Sequence, residues 1–359
     1  MKVLLIAPSG AEVLGVIGRS VAAALGRLGH EVRHFDYRRG FVMPSGAGSA
    51  LRSPFGIRLP FSPRSLPGVK WFEAVRRGQA LLSTCGEFGP EVILVLKGEG
   101  LDGRLIREAK AASGAVTVNW FQDTVTLPVL RDIAVSVSGG YDFFFGIDDA
   151  EVLGQAGLRS GSAAFLPMGF DPEIYRKAGL SPDELEKYGS DLAFVGTMVP
   201  SRVQAFEELM LPGLRIWGPP VTVHGPWLRD GSPLVGCYTG VAPLGAEAAK
   251  VYRASRVTIG MHCNIGGTVT NVTPRVFEVP ASGGFLLTDA NPQLGHFYDT
   301  ESEMATYGSL DELKDKAAYY LANPGERAAM AEKAHRRATA EHTCDKRLEE
   351  MFRIIGATI

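Results

Sequence analysis

The chain has 359 residues, 45% hydrophobic and 21% charged, with a formal net charge of −2. That length exceeds one average domain and predicts two, each of roughly 150–200 residues. The composition is ordinary for a soluble globular protein, and the near-neutral charge with scattered Lys and Arg gives no electrostatic case for a nucleic-acid or membrane partner.

The apolar run over 3–7 is too short for a signal-peptide core and leads into a Gly-bearing turn, so it reads as a buried strand. Ser9 and Glu12 have capping-box spacing, and Ile17, Val21, Ala24, Leu25 and Leu28 follow at helical spacing before Gly29. A strand over 31–36 completes a βαβ unit, which requires a parallel sheet. The turn is not G-x-G-x-x-G, which argues against NAD. Residues 38–68 are rich in Gly, Pro, Ser and Arg without periodicity; they read as a long loop, either a disordered insertion or a lid or acceptor-binding segment. A helix over 71–82, a strand over 91–96, a helix capped by Asp102 and strands over 115–120, 141–147 and 163–166 continue the pattern. Ligands of open parallel sheets bind beyond the carboxyl ends of the strands. That rule puts Ser9, Gly10, Lys97, Glu99, Asp123 and Asp148 on one rim, where each could equally be a cap or turn residue.

Residues 167–172 have the breaker density of a hinge, giving a first domain over 1–170, a second over 171–340, and a C-terminal helix over 341–359 that can pack back on the first. A helix capped at Ser181 precedes a strand over 191–195 that runs into Gly196-Thr197. Ser201 with Gln204 three residues on predicts a cap, placing Arg202 in a first helical turn, where it can meet a phosphate or simply pair with Glu207 or Glu208. Strands over 214–217 and 221–223, a turn at His224-Gly225, a helix over 246–254 and a strand over 256–261 follow. Then comes the stretch 264–289: a Gly/Thr/Asn-rich loop, Pro274-Arg275, an apolar run holding Glu278, the pair Gly283-Gly284, and a strand. Loop, helix start and fixed guanidinium outline an anion site, and Glu278 at i+3 projects beside Arg275, able to accept from hydroxyls. Phosphate plus a vicinal diol describes a ribose phosphate; a plain Arg-Glu surface pair is the alternative. Capped helices from Ser309 and Asn323 and a last helix from about Thr343 close the chain.

The four cysteines are far apart with no C-x-x-C, so neither a zinc site nor a disulfide framework is indicated, and a reduced, cytoplasmic setting fits best. No apolar run approaches the length of a membrane span.

From about residue 191 to 352 the residues line up with a known family. The pattern runs Phe194-Val195-Gly196 with Arg202, the His224-Gly225-Pro226-Trp227 turn, Arg275-Val276-Phe277-Glu278 leading to Gly283-Gly284-Phe285, then Tyr319-Tyr320-Leu321 and His342-Thr343. It resembles the C-terminal domain of the CgeB-like (spore maturation protein) glycosyltransferases of the group-1 superfamily. The resemblance implies a GT-B architecture of the α/β class: two Rossmann-like domains with parallel sheets facing a central cleft. It further implies a glycosyltransferase of hexosyltransferase type, using a nucleotide-sugar donor, UDP-sugar first, and a hydroxyl acceptor. By analogy Glu278 holds the ribose hydroxyls and Arg202 and Arg275 neutralise the diphosphate. Backbone at Gly196-Thr197 and Thr273 adds donors, and the loop at His224-Gly225 faces the base. His262 joins this set from the end of its strand, and Asp123 on the first rim is the first choice of general base should the reaction invert. Two departures matter. Thr270 stands where many group-1 enzymes carry a second carboxylate, so a retaining outcome is not inherited, and there is no D-x-D, so no metal or other cofactor is expected. A nucleotide-sugar 2-epimerase or a non-catalytic scaffold on the same fold are the rival readings.

Overall fold

The computed structural model describes residues 1–10, 12–39, 67–219, 231–262 and 271–356. The chain divides into two compact units, Met1–Leu166 with Ile355–Ile359, and Pro167–Ile354.

In the first unit the elements run β1 (Lys2–Ile6), α1 (Val13–Arg27), β2 (Glu31–Phe35), α2 (Pro67–Phe88), β3 (Val92–Leu96), α3 (Gly103–Ser113), β4 (Val116–Trp120), α4 (Pro128–Ser138), β5 (Phe143–Gly146), α5 (Ala150–Gln155) and β6 (Ser162–Phe165). The strands form one sheet in the order β2-β1-β3-β4-β5-β6, every pair parallel. All five residues of β3 are buried, as a strand covered on both faces requires. The expected cap at Ser9 is not formed. Its hydroxyl and N–H both donate to Asp36, at 2.5 and 3.1 Å, and α1 starts from Glu12 with no side-chain cap. The turn is instead pressed onto the helix: a Cβ at Gly15 would lie 1.9 Å from the Gly10 carbonyl oxygen, and Arg19 donates to that oxygen at 2.7 Å. Asp102 does cap α3, accepting from the Arg104 N–H at 2.8 Å.

The second unit contains α6 (Pro182–Tyr188), β7 (Ser190–Val195), α7 (Pro200–Leu209), β8 (Leu214–Trp217), α8 (Ala246–Ala254), β9 (Ser255–Gly260), α9 (Arg275–Ala281), β10 (Leu286–Asp289), β11 (Ala305–Tyr307), α10 (Leu310–Ala322), α11 (Pro324–Glu341) and α12 (Cys344–Ile354). Its sheet is β11-β10-β9-β7-β8, again parallel throughout. Ser181 and Ser309 cap α6 and α10 as expected. Ser201 does not cap α7. The helix begins at Pro200, whose fixed φ suits the first helical position, with Val199 before it. The strand expected over 221–223, the His224-Gly225 turn and the loop over 264–270 lie outside the described residues, as does nearly all of the 38–68 loop. Among the described residues no helix is long and apolar enough to cross a membrane.

Candidate active site

In the second unit the strand order reverses direction between β7 and β9, so the loops after these two strands border the position where such sheets hold ligands. Gly196 follows β7. A Cβ there would come within 2.7 Å of the Arg275 guanidinium, so glycine lets that group rest against the strand end where it lies. The Arg275 guanidinium carbon lies 5.5 Å from the centre of the Phe194 ring, and that of Arg202 lies 5.3 Å from the same ring. Gly196, Arg202 and Arg275, far apart in sequence, thus converge on the end of β7.

The two arginines are held differently. Arg202 is 5% exposed and donates to the carbonyls of Thr197 at 2.8 Å and Met261 at 2.6 Å, joining the ends of β7 and β9. Arg275 is partly exposed and makes one long contact to the Thr273 hydroxyl at 3.5 Å. No carboxylate among the described residues comes within ion-pair distance of it. The first-turn amides of α9 are also occupied: Val276 donates to the Thr273 carbonyl, and Phe277 and Glu278 to that of Pro274. Available positive charge here resides on the guanidinium rather than on the end of this seven-residue helix.

Glu278 is only partly buried by exposure, yet its carboxyl is flanked by two tyrosines, Tyr252, whose hydroxyl donates at 3.3 Å, and Tyr175. Burial pushes this carboxyl above its usual range, against the lowering effect of the Tyr175 bond, Arg275 and Tyr252. Burial likewise raises both tyrosine hydroxyls, so they stay protonated donors. An ionised carboxylate has about four lone-pair sites, which leaves acceptor capacity beyond the two tyrosines.

His262 is 4% exposed and both its ring nitrogens are engaged. Nδ1 donates to Asp289 at 2.6 Å, while Nε2 accepts the Thr273 N–H at 3.3 Å, which fixes the tautomer. His262 therefore acts on the site by positioning the turn before α9, and the Thr273 N–H is spent on it. Gln293, fully buried, accepts from the Val272 N–H at 3.2 Å, and Asn291 donates to the Asn271 carbonyl at 3.1 Å. Three side chains, His262, Gln293 and Asn291, thus hold residues 271–273, with Asp289 orienting the histidine. Tyr175, Tyr252, Asp289, Asn291 and Gln293 went unseen in the sequence. The tyrosines look like core aromatics there, and the polar trio sits where a strand end and its following turn would be read as plain punctuation.

On the first unit's rim, Asp123 accepts from Lys97 Nζ at 2.7 Å, and Glu99 lies 3.6 Å from the same amine and 3.4 Å from Arg38. Lys97 adopts φ +62°, a left-handed conformation that re-aims its side chain at the end of β3. Asp148 is fully buried and accepts from the Thr124 hydroxyl and the Val125 N–H, both at 2.7 Å, so it fixes the loop after β4. A separate cavity of about 830 Å³ runs beside β8, lined by Tyr188, Arg215, Trp217, Tyr238 and Glu247; it contains neither arginine of the site nor Glu278.

Residues 202–353 match the family described as Glycosyl transferase-like. The spore protein CgeB of Bacillus subtilis (strain 168) is 23% identical over 270 residues, covering 72% of this chain and 81% of that one. Sucrose-phosphate synthase from Thermosynechococcus elongatus has the same fold at a TM-score of 0.67 and 13% identity, with 100% of both chains covered. Anabaena HepE, solved in complex with UDP-glucose, gives a TM-score of 0.66 at 12% identity, covering 99% of this chain and 100% of that one. Two parallel-sheet units, the family match and these neighbours define a glycosyltransferase of GT-B fold. Within that class, the second unit carries the matched glycosyl transferase-like region, and the chain is similar to the spore protein CgeB over most of its length.

Proposed function

We propose that the protein transfers a sugar from a nucleoside-diphosphate sugar, UDP-sugar first, to a hydroxyl acceptor, and that it needs no metal to do so. The observation that carries this reading is the Arg275 guanidinium held over Gly196 by the Phe194 ring, with no carboxylate at ion-pair distance among the described residues. As the glycosidic bond to the diphosphate breaks, negative charge grows on the leaving phosphate, and a fixed cation lowers the barrier by meeting charge that the ground state lacks. Arg275 supplies that cation; Arg202 orders the loops around it, and Glu278 accepts from the ribose hydroxyls. The UDP-glucose complex of HepE supports UDP as the first donor to try. Asp123, paired with Lys97, is the general base of this scheme if configuration inverts.

A thermal-shift screen of UDP, GDP, dTDP and their sugars identifies the donor, since a bound ligand raises the melting temperature by mass action. With that donor, Arg275→Ala is expected to lower kcat/KM by about 100-fold, the range for losing one oxyanion-type donor. A chelator is expected to leave the parent rate unchanged. A variant as fast as the parent removes Arg275 from this role, and a rate abolished by chelator and restored by a divalent ion removes the metal-free mechanism.

A further inference from the structure

One helix of the first unit turns aromatic side chains outward. At the start of α2, Trp71 is 62% exposed and Phe72 54%, their rings edge to face with centroids 5.1 Å apart, and Val75 is 36% exposed. At about 100° per residue, Ala74, Trp71, Val75 and Phe72 make one apolar arc, with Lys70 on one flank, Arg76 on the other and Glu73 opposite. Further along the helix, the unit's own core takes the Lys70–Ala74 edge of this same face. Leu81 and Cys85 are fully buried there, and Arg77 ties the helix down by donating to the Gly100 carbonyl at 2.7 Å and that of Tyr37 at 3.5 Å. The sequence leading up to this arc is charged in one sense only. Residues 37–72 contain six Lys and Arg and no Asp or Glu, within a chain whose net charge is −2, so the whole-chain average hides a cationic stretch.

We propose that this end of α2 docks on an anionic lipid surface. Trp71, Phe72 and Val75 enter the headgroup layer, Lys70 and Arg76 lie against lipid phosphates, and Glu73 faces away. Charge selects this occupant. Cations on both sides of an apolar arc match a continuous negative plane, whereas a second copy meeting arc to arc would oppose cation to cation. The lipid surface binds the unit that carries Asp123, independently of whether the donor site works as proposed.

The test is sedimentation of the full chain with vesicles of pure phosphatidylcholine and of phosphatidylcholine carrying about one third phosphatidylglycerol. Binding is expected to the second and not the first, and to weaken as salt is raised. Trp71→Ser with Phe72→Ser should lower partitioning by about tenfold or more. Lys70→Glu with Arg76→Glu should lower it by roughly 25-fold or more, about fivefold for each cation lost. Both pairs change exposed positions, and thermal unfolding close to the parent's verifies that each is folded. Equal binding to both kinds of vesicle, binding to neither, or partitioning unchanged in both variants overturns the proposal. So does a dimeric parent that Trp71→Ser with Phe72→Ser converts to a monomer, because the arc would then belong to a second copy.

Discussion

Two guanidinium groups face the ring of Phe194, and like charges this close repel unless each is compensated. Arg202 is compensated by the carbonyls of Thr197 and Met261, which are always present, so it is part of the frame. Arg275 has only the nearby charge of Glu278, so a bound diphosphate gains most from it. Glu278 bears the opposite strain. Its carboxyl is raised by burial, so its ionised form costs stability, and that cost is present above its raised value and relieved as pH falls through it. Glu278→Gln keeps an acceptor for Tyr252 and Tyr175 and removes the charge. It is expected to raise the melting temperature at neutral pH by about 2 °C while weakening nucleotide binding about tenfold through the lost charged acceptor. A lower melting temperature with unchanged nucleotide affinity would mean that Glu278 serves the fold instead of the ligand.

At the level of elements, α9 is short and carries Pro280, so its position is set from outside. Residues 271–273 are held by His262, Asn291 and Gln293, with Asp289 orienting the histidine, and this bracket aims Arg275 at Gly196. His262→Ala removes one clamp without touching the ligand groups. The expected result is a fall in kcat/KM of about tenfold that His262→Gln partly restores, since a Gln side chain can both donate to Asp289 and accept from Thr273. Loss of activity in both variants with equal severity would argue for a direct chemical role of the imidazole. These brackets also mark the limit of what was legible beforehand. Buried strands such as β3 and the capped helices α3, α6 and α10 announce themselves by runs of apolar residues and by Asp102, Ser181 and Ser309. Ser9 and Ser201 carry the same local signal, yet Asp36 takes the first through a long-range bond and Pro200 starts the helix ahead of the second. Arg275 and Glu278 were readable because they are neighbours on one helix. Tyr175 and Tyr252 were not, because nothing local distinguishes a tyrosine that faces a carboxylate from one that fills a core.

Across the whole molecule the clearest pH lever is His342, outside the donor site. It is buried among Phe277, Phe297 and Tyr298, donates from Nε2 to the Phe297 carbonyl at 3.0 Å, and accepts at Nδ1 from Arg347 at 3.1 Å. Its backbone carbonyl also receives the Phe170 N–H, and Cys344 donates back to Phe170, so the segment after the first unit is tied to this corner. Burial, joined by the nearby Arg347 charge, holds the imidazole down at about 4, against 6.5 when exposed. The folded value lies below the unfolded one, so protons bind the unfolded chain first. Stability is therefore complete above about pH 6.5 and is lost as pH falls toward 4, by roughly 2.5 kcal/mol at pH 4.5. The lowered carboxyls of Asp36 and Asp142 add their losses mainly below that window, and the raised carboxyl of Glu278 works in the opposite sense within it. The melting temperature should drop by about 5 °C between pH 6.5 and 4.5. His342→Gln, which can still donate to Phe297 and accept from Arg347 but cannot titrate, should lose most of that slope. If the variant keeps the parent's slope, the acid sensitivity arises from the carboxyls, and the Phe277–Phe297–Tyr298 corner is not where the fold gives way first.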